Sequence, residues 1–339
     1  MKLFFGYLFL CIICVAPGAI LSQTIGGNAV FNFLDLPSAA RISSLGGINI
    51  SSQDPDISLA YGNPALLRDS MHAQVAIDFN MMYASIKNYF TCAGYHDKKL
   101  NTNFALAVNY IDYGSASLTD PSGNILGSFS ASDYSIQLFA AGKYEKNWYY
   151  GGSVKFINST YGQFKSNALA LDVGLNFLDN SHSWQFGLVA KNMGTQLKSY
   201  TLLKEDLPFD VEFGASKKLA KLPLQISVTV HHIHQFDIRY ADTLYQSTSS
   251  AGFADKIFRH CIFAAQYYIG NKIELTVGYN YLRRSELKIS NGGNGWNGYS
   301  FGIAALFSKL QLRYARAYYQ NNTAYNQLGI NFNLKRSNL

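Results

Sequence analysis

Short stretches of alternating apolar and polar residues recur along this chain from residue 72 almost to the C-terminus. In the clearest stretch, 273–281, the odd positions are apolar or aromatic, whereas the even positions are Glu274, Thr276, Gly278 and Asn280. Side chains on a strand alternate between its two faces, so each stretch predicts a strand with one apolar and one polar face. The predicted strands are 72–83, 86–95, 103–112, 133–143, 147–158, 167–178, 183–192, 208–219, 223–235, 257–269, 272–283, 298–308, 309–319 and 325–334.

This pattern favours a closed barrel in a membrane. Charged residues make up only 14% of the chain and aromatic residues 15%, yet beyond the N-terminus no run of about 18 apolar residues could form a transmembrane helix. A barrel satisfies its backbone hydrogen bonds between strands, so a polar-looking sequence can cross lipid. We therefore predict an all-β, transmembrane antiparallel outer-membrane β-barrel of about fourteen strands over 71–335, with a C-terminal tail at 336–339.

The first 22 residues have the organisation of a secretory signal peptide. A positive start at Lys2 precedes an apolar stretch over 3–16 and small residues over 18–22. The mature chain would keep two cysteines, Cys92 and Cys261. They fall on the second and tenth predicted strands, which are not neighbours in a closed meander, so we expect two free thiols.

The connections between the predicted strands alternate in length, as in outer-membrane barrels with short periplasmic turns and longer outer loops. Aromatic residues crowd several strand ends, for example at Trp148, Tyr267 and Tyr318, as expected of interfacial girdles. The formal net charge of +7 is modest. It favours contact with anionic lipid or lipopolysaccharide, and neither the charge distribution nor secretion favours a nucleic acid as a partner. The longer loops are predicted at 113–132, 159–166, 193–207, 236–256, 284–297 and 320–324.

The segment 23–70 lacks the strand pattern and is too apolar for a disordered tail. A short helix is predicted near 34–41, with Pro37 close to its start and Asp35 or Ser38 available as a cap. A second turn-to-helix start is predicted at Asn63 and Pro64. A barrel of fourteen strands has a lumen wide enough to need filling, so we predict that 23–70 forms a plug or hatch inside it.

The motifs of this segment resemble a known family. The run over 33–41 reads Phe-Leu-Asp-Leu-Pro-Ser-Ala-Ala-Arg, and the run over 56–67 contains Asn-Pro-Ala. Both are similar to the N-terminal region of the PorV/PorQ family of the type IX secretion system of Bacteroidetes, within the wider FadL-like group of fourteen-stranded barrels with an N-terminal hatch. The residues that carry the resemblance are Leu36, Pro37, Ala40, Arg41, Gly46, Gly47, Asn63, Pro64, Ala65 and Leu66.

The resemblance implies a scaffold in the outer membrane of a Gram-negative bacterium, without enzyme activity and without a cofactor. Its partner would be a PorZ-like surface protein of the attachment complex, held beside the PorU sortase and PorV by the loops 113–132 and 236–256. Two alternatives stay open. One is a FadL-like transporter of hydrophobic molecules, and the other is a hydrolase with its catalytic residues on the barrel wall.

The residues offer few sites for chemistry. Two imidazoles two positions apart on a strand share a face, so His232 and His234 could chelate a metal; the alternative is a polar strand end that leaves the membrane. The Gly-x-Gly-x-x-Gly string over 293–298 lacks the following helix of a dinucleotide site and reads as a loop. Charges expected to face the lumen and to pair there or with Arg41 and Arg68 are Asp78, Asp172, Asp210, Glu212, Glu274, Lys155 and Arg313. Cations expected on the outer face, available to a protein or a phosphate-bearing glycan, are Lys198, Lys204, Arg283, Arg284 and Lys288.

Overall fold

Fourteen antiparallel strands close into a barrel in which each strand pairs with its neighbours in the chain and the first pairs with the last. The computed structural model describes residues 29–52, 54–179, 181, 183–238, 252–270, 272–287, 295–320 and 323–334. The predicted all-β barrel is therefore confirmed. Its strands are β1 Gln74–Met81, β2 Lys87–Asp97, β3 Thr102–Thr119, β4 Ile125–Tyr144, β5 Trp148–Tyr161, β6 Phe164–Asp179, β7 Trp184–Lys198, β8 Asp210–Lys218, β9 Leu224–Val230, β10 Cys261–Ile269, β11 Ile273–Asn280, β12 Tyr299–Leu306, β13 Leu310–Gln320 and β14 Thr323–Asn333.

The alternation of side chains separates an apolar outside from a polar inside. On β6, Leu171 and Val173 are about half exposed on the outer face, whereas Asp172 between them is only 1% exposed. The same change of face occurs on β14, where Leu328 and Ile330 point outward. An apolar outer band with a polar interior is the arrangement that a barrel needs to sit in lipid. Among the described residues, no helix has the length and apolar character needed to span a membrane.

Several strand boundaries differ from the sequence prediction. The predicted outer loop 113–132 is mostly strand, because β3 and β4 continue as a long hairpin that leaves only residues 120–124 as a turn. The predicted loop 159–166 likewise shrinks to the turn at 162–163 between β5 and β6. Beyond the membrane both faces of a strand meet water, so the apolar–polar contrast that marks a strand disappears there.

Two helices shorten strands that the pattern predicted to be longer. Helix α2, Phe253–Arg259, precedes β10, so this strand starts at Cys261. Helix α3, Tyr281–Glu286, follows β11 directly, and the side chain of Asn280 caps it by accepting a hydrogen bond from Arg283 N at 2.9 Å. The described parts of the connections 199–209, 231–260 and 281–298 lie at one end of the barrel, which we call the long-loop rim. The opposite end, with the turns near 98–101, 145–147 and 219–223, is the short-turn rim.

The described part of the N-terminal segment, residues 29–73, lies against the inward face of the barrel. Its helix α1, Ala40–Ser44, contacts β11 to β14. The segment also contains four 3-10 helices, Asn32–Asp35, Ile57–Tyr61, Pro64–Leu66 and Asp69–Met71. The assignment of 23–70 to a separate plug domain stays a prediction, and the signal peptide lies outside the described residues.

The helix start in this segment differs from the prediction, and its cap comes from the barrel wall. Helix α1 begins at Ala40 rather than near residue 34, and no side chain of its own cap position bonds to it. Instead, Ala40 N donates a hydrogen bond of 2.8 Å to Asp78 Oδ1 on β1. The second predicted start is confirmed, because Asn63 Oδ1 accepts from Ala65 N at 3.0 Å at the head of Pro64–Leu66.

Glycines on the wall let the N-terminal segment approach the strand backbone closely. A Cβ at Gly151 on β5 would lie 2.5 Å from the carbonyl carbon of Pro64 and 2.7 Å from Ala65 N. Within the segment, Gly46 and Gly47 have φ of 94° and 103°, a region that L-residues with side chains rarely adopt. At Gly151, the backbone of the N-terminal segment therefore packs directly against the backbone of the barrel wall.

The two cysteines of the described chain are free, as predicted. Cys92 on β2 is buried and Cys261 on β10 is partly buried. These strands are not neighbours in the barrel. Structural stability therefore comes from the strand ladder and the lumen contacts.

Candidate functional site

A cluster of buried charges joins the N-terminal segment to the barrel wall. Arg41 on α1 is 0% exposed and pairs with Glu274 on β11 and with Asp54 of its own segment. Arg313 on β13 reaches Glu274 at 3.2 Å and Asp56 at 3.0 Å. Two guanidinium groups and three carboxylates therefore form one connected network across the lumen. The prediction that Arg41 pairs with lumen-facing acids is confirmed.

A second buried network lies on the opposite wall. Lys155 Nζ on β5 is 3.3 Å from Asp172 Oδ2 on β6 and 2.7 Å from Asn192 Oδ1 on β7. Asn192 interrupts the β6–β7 ladder, has φ of 56°, and donates its backbone N–H to Asp172 Oδ1 at 2.8 Å. Buried charges of this kind stay ionised only when paired and hydrogen-bonded. Polar side-chain contacts therefore connect β5, β6 and β7 at the place where the backbone pairing of β6 with β7 is interrupted.

Between the N-terminal segment and the long-loop rim lies a cavity of about 220 Å³. The wall that the N-terminal segment contributes is mainly apolar, with Leu34, Leu36, Pro37 and Ile42, and also carries the polar side chains of Asp35, Ser38 and Asn49. Leu282 of α3 adds a further apolar surface. One side of the cavity, next to helix α3 at the long-loop rim, is therefore lined mainly by apolar side chains.

The opposite wall of the cavity is polar. Lys191 on β7 lies 3.5 Å from Glu212 on β8, measured from Nζ to Oε1, and His232 Nδ1 lies 3.5 Å from Asp210 Oδ2. Burial, and to a smaller extent the neighbouring His234, lower the pKa of His232 to about 4. Burial likewise holds the pKa of His231 well below its usual value. Both imidazoles are therefore neutral near pH 7.

The residues of the family motif lie within the N-terminal segment and serve its internal structure. Arg41 is in the charge cluster, and Asn63, Pro64 and Ala65 form the capped turn against β5 and β6. Leu36, Pro37 and Gly47 line the cavity. The remaining motif residues, which pack between the segment and the wall, are Ala40, Gly46 and Leu66.

The histidine pair predicted from strand spacing is arranged differently in the structure. Strand β9 ends at Val230, so His232 and His234 do not share a strand face. His232 instead meets Asp210, which begins β8, and the ring of His231. Local spacing could not reveal this, because the carboxylate comes from a different strand. Metal binding itself stays a prediction.

The predicted outer cations are only partly on the outer surface. Arg283 turns inward, where its Nη2 donates to Gly46 O at 3.2 Å and its guanidinium lies 4.1 Å from the ring centroid of Tyr319. Lys198 and Lys204 are exposed. Lys288 and most of the predicted partner loop 236–256 lie outside the described residues, as does the start of the glycine string at 293–298.

Arg68 of the N-terminal segment pairs with neutral groups rather than with a lumen-facing acid. Its Nη2 donates to Asn176 Oδ1 on β6 at 2.8 Å, and its guanidinium lies 3.9 Å from the ring centroid of Tyr149. Of the inward acids and cations predicted from strand phase, Asp78, Asp172, Asp210, Glu212, Glu274 and Lys155 are buried and Arg313 is partly buried. The inward face predicted for these side chains is therefore confirmed.

Solved structures with the same fold include two hydrocarbon channels. The toluene transporter TodX of Pseudomonas putida is 10% identical, with 87% of this chain and 97% of that chain covered and a TM-score of 0.54. The monoaromatic hydrocarbon channel CymD is 11% identical, with 89% and 97% covered and a TM-score of 0.50. No protein-family model and no curated protein matches the sequence.

These likenesses establish the barrel fold. Together with the apolar outer band, they support a location in the outer membrane of a Gram-negative bacterium. Membership of the type IX secretion system, a source in Bacteroidetes and the absence of enzyme activity stay predictions.

Proposed function

We propose that this chain conducts small, mainly apolar molecules across the outer membrane, with residues 29–73 as the hatch. The cavity of about 220 Å³ between the hatch and the long-loop rim is the observation that carries this proposal. A cavity of about 150 Å³ lined by apolar side chains holds benzene. The space here therefore suits a ligand somewhat larger than one aromatic ring.

The chemistry of the cavity walls narrows the ligand further. Leu34, Leu36 and Ile42 face a molecule from the hatch side, whereas Lys191 and Glu212 stand on the barrel side. Binding sites of this type fix the apolar body by shape and orient it through few polar groups. A ligand with an apolar ring or short chain and at most one polar substituent fits both walls. TodX and CymD, described as channels for toluene and monoaromatic hydrocarbons, have the same fold.

The experiment measures uptake of radiolabelled toluene by cells that lack their own hydrocarbon channels and produce this protein. Leu36→Trp combined with Ile48→Trp fills the cavity, while Ile303→Trp, on the lipid-facing side of β12, is the matched control. With the space filled, the ligand loses its binding site, so we expect the saturable uptake rate to fall at least about tenfold in the first variant only, the equivalent of about 1.4 kcal/mol of binding free energy. Uptake no faster than in cells without the protein, or uptake insensitive to the filled cavity, would refute the proposal.

Scaffolding in the type IX attachment complex is a second candidate, favoured by apolar side chains at the long-loop rim. On the β3–β4 hairpin, Leu118, Ile125 and Leu126 are 49%, 73% and 66% exposed. Exposed apolar groups outside the membrane band suit contact with a protein such as a PorZ-like surface partner. The residues that carry the family resemblance do not contribute to this exposed surface, because they lie in the N-terminal segment inside the barrel.

Co-purification from gently solubilised cells tests the scaffold. Changing Leu118, Ile125 and Leu126 to Asn should release a stoichiometric PorZ-like protein without changing toluene uptake. Leu100→Asn, an equally exposed position at the short-turn rim, is the control. If no PorZ-like protein co-purifies with the unmodified chain, the scaffold interpretation is wrong and the channel proposal is untouched.

A further inference from the structure

Three potential metal ligands meet at the long-loop rim beside the cavity. One oxygen of Asp210 and one nitrogen each of His231 and His232 all lie within 4.8 Å of one another. His232 Nδ1 is 3.5 Å from Asp210 Oδ2 and 2.5 Å from His231 Nδ1. We propose that these three side chains bind a divalent transition-metal cation of the Zn²⁺ class. This inference does not depend on the ligand that the cavity takes.

Two buried polar atoms beside these ligands have no hydrogen-bond partner. They are His231 Nε2 and Glu212 Oε2, and both residues are only 2% exposed. Glu212 is two residues from Asp210 on β8, so both side chains point into the lumen. Buried polar atoms are almost always bonded, and exceptions in a native structure call for an explanation such as an ion. A cation beside Asp210 supplies a partner for Glu212 Oε2, whereas His231 Nε2 faces away from a cation bound at Nδ1 of the same ring.

The two imidazoles are close enough to share one cation. Their Nδ1 atoms lie 2.5 Å apart, where one ring donates its proton to the other, and a cation can take the place of that proton.

Hydrogen bonds hold the ligands in place from behind. Asp210 Oδ1 accepts the backbone N–H of His232 at 2.6 Å, while Oδ2 faces His232 Nδ1 at 3.5 Å. The backbone of His231 is fixed by its N–H to His260 O at 3.0 Å and by His260 Nδ1 to His231 O at 2.7 Å. Supporting bonds of this kind orient the ligands of metal sites and contribute to their affinity.

The ligand set selects the class of metal. Two imidazoles and one carboxylate suit Zn²⁺, Ni²⁺, Cu²⁺ or Fe²⁺, whereas Ca²⁺ takes six to eight oxygen ligands and Mg²⁺ keeps several waters. A fourth position can be taken by water or by His234, whose Nδ1 is 3.8 Å from Asp210 Oδ1. The cation would tie the start of β8 to the first residues after β9. It would thereby fix residues 231–234, with which the connection after β9 begins.

The test uses the full chain without a polyhistidine tag, purified in detergent and stripped with EDTA. Zn²⁺ is titrated by calorimetry, and Co²⁺ is titrated by its visible absorption, which reports coordination geometry. We expect one Zn²⁺ per chain, with affinity reduced at least about tenfold in Asp210→Asn and in His232→Asn. Asn is chosen at 232 because His232 has φ of 54°, which Asn tolerates better than most residues. His96→Asn, at the short-turn rim, is the control and should bind as the unmodified chain does.

A second readout covers variants that fold poorly. Amide hydrogen exchange of residues 231–238 in the unmodified chain should slow when Zn²⁺ is added and should not respond to Mg²⁺. The proposal is overturned if the stripped chain takes up no Zn²⁺. It is equally overturned if the Asp210 and His232 variants bind as tightly as the control, or if exchange of 231–238 ignores Zn²⁺.

Discussion

Removing the charge of Arg41 should release the N-terminal segment from the wall while the barrel stays folded. The Arg41 side chain is 0% exposed and pairs with Glu274 on β11 and with Asp54. In Arg41→Met, the guanidinium of Arg313 still pairs with Glu274 and Asp56, but Asp54 loses the arginine that it pairs with. Breaking a buried ion pair by removing one partner costs about 3–5 kcal/mol, because the other charge stays buried.

Glu274→Gln tests the same network from its opposite side and should cost less. The amide keeps the shape of the side chain, and the two guanidinium groups are left with two carboxylates, Arg41 with Asp54 and Arg313 with Asp56. The loss is then close to that of a weakened hydrogen bond, about 1–2 kcal/mol. The two substitutions thus differ in cost although both break the Arg41–Glu274 pair.

Amide hydrogen exchange of the folded protein in detergent measures this local release. Each 1.4 kcal/mol corresponds to a tenfold change in an equilibrium constant, so exchange over residues 40–52 should accelerate roughly a hundredfold to several thousandfold in Arg41→Met. In Glu274→Gln the acceleration should be about tenfold. Arg316→Met removes an exposed arginine from the same strand as Arg313 and should leave the exchange unchanged.

Two outcomes would refute this reasoning. One is unchanged exchange over 40–52 in Arg41→Met, which would mean that the ion network does not hold the segment. The other is equal acceleration in the strands β11 and β13, which would mean that the network stabilises the barrel as a whole. A double-mutant cycle between Arg41 and Glu274 then separates their direct coupling from the contribution of Arg313.

Three further substitutions or labels test other parts of the fold. Gly151→Leu forces a side chain into the backbone of the N-terminal segment, so exchange over 63–67 should rise by the equivalent of about 1–3 kcal/mol. A water-soluble maleimide should modify Cys261 and spare the buried Cys92 in the folded protein, as read from the mass of each peptide. Ile330→Arg, in the middle of β14, should lower the free energy of unfolding in lipid vesicles by about 2–4 kcal/mol, whereas Leu118→Arg on the β3–β4 hairpin should not.

The barrel was predictable from sequence because lipid and lumen impose opposite demands on alternate residues. Leu169, Leu171 and Val173 on β6 face lipid and are apolar, whereas Asp172 between Leu171 and Val173 faces the lumen. The alternation of residue types therefore predicts which side chains point inward. The same contrast failed on the β3–β4 hairpin. There Ser115, Ser117 and their partners meet water on both faces, and a strand with small polar residues reads as a loop.

The cavity and the histidine cluster could not be predicted because they depend on contacts between distant parts of the chain. Asp210 lies 22 residues before His232 and reaches it only through the pairing of β8 with β9. The helix cap at Ala40 comes from Asp78 on another element. The sequence predicts that Arg41 pairs with an acidic residue, since a buried charge needs a counter-charge. Which carboxylate pairs with Arg41 depends on how deep the N-terminal segment lies in the barrel.

The distribution of polar contacts along the N-terminal segment bears on how a molecule could pass it. Residues 40–56 are fixed by the ion network, and residues 63–65 are wedged against the glycine-lined wall of β5. Residues 30–38 are held mainly by apolar contacts with β3, β5 and β6, together with the bonds from Val30 N to Asp206 O and from Gln327 Nε2 to Pro37 O, both of 2.9 Å. Apolar contacts lack the directional geometry of ion pairs and are restored after a sliding displacement, so this stretch opens at lower cost than the anchored part. Since it also forms one wall of the cavity, a ligand in the cavity contacts a part of the segment that can move without breaking the ion pairs of Arg41 and Arg313.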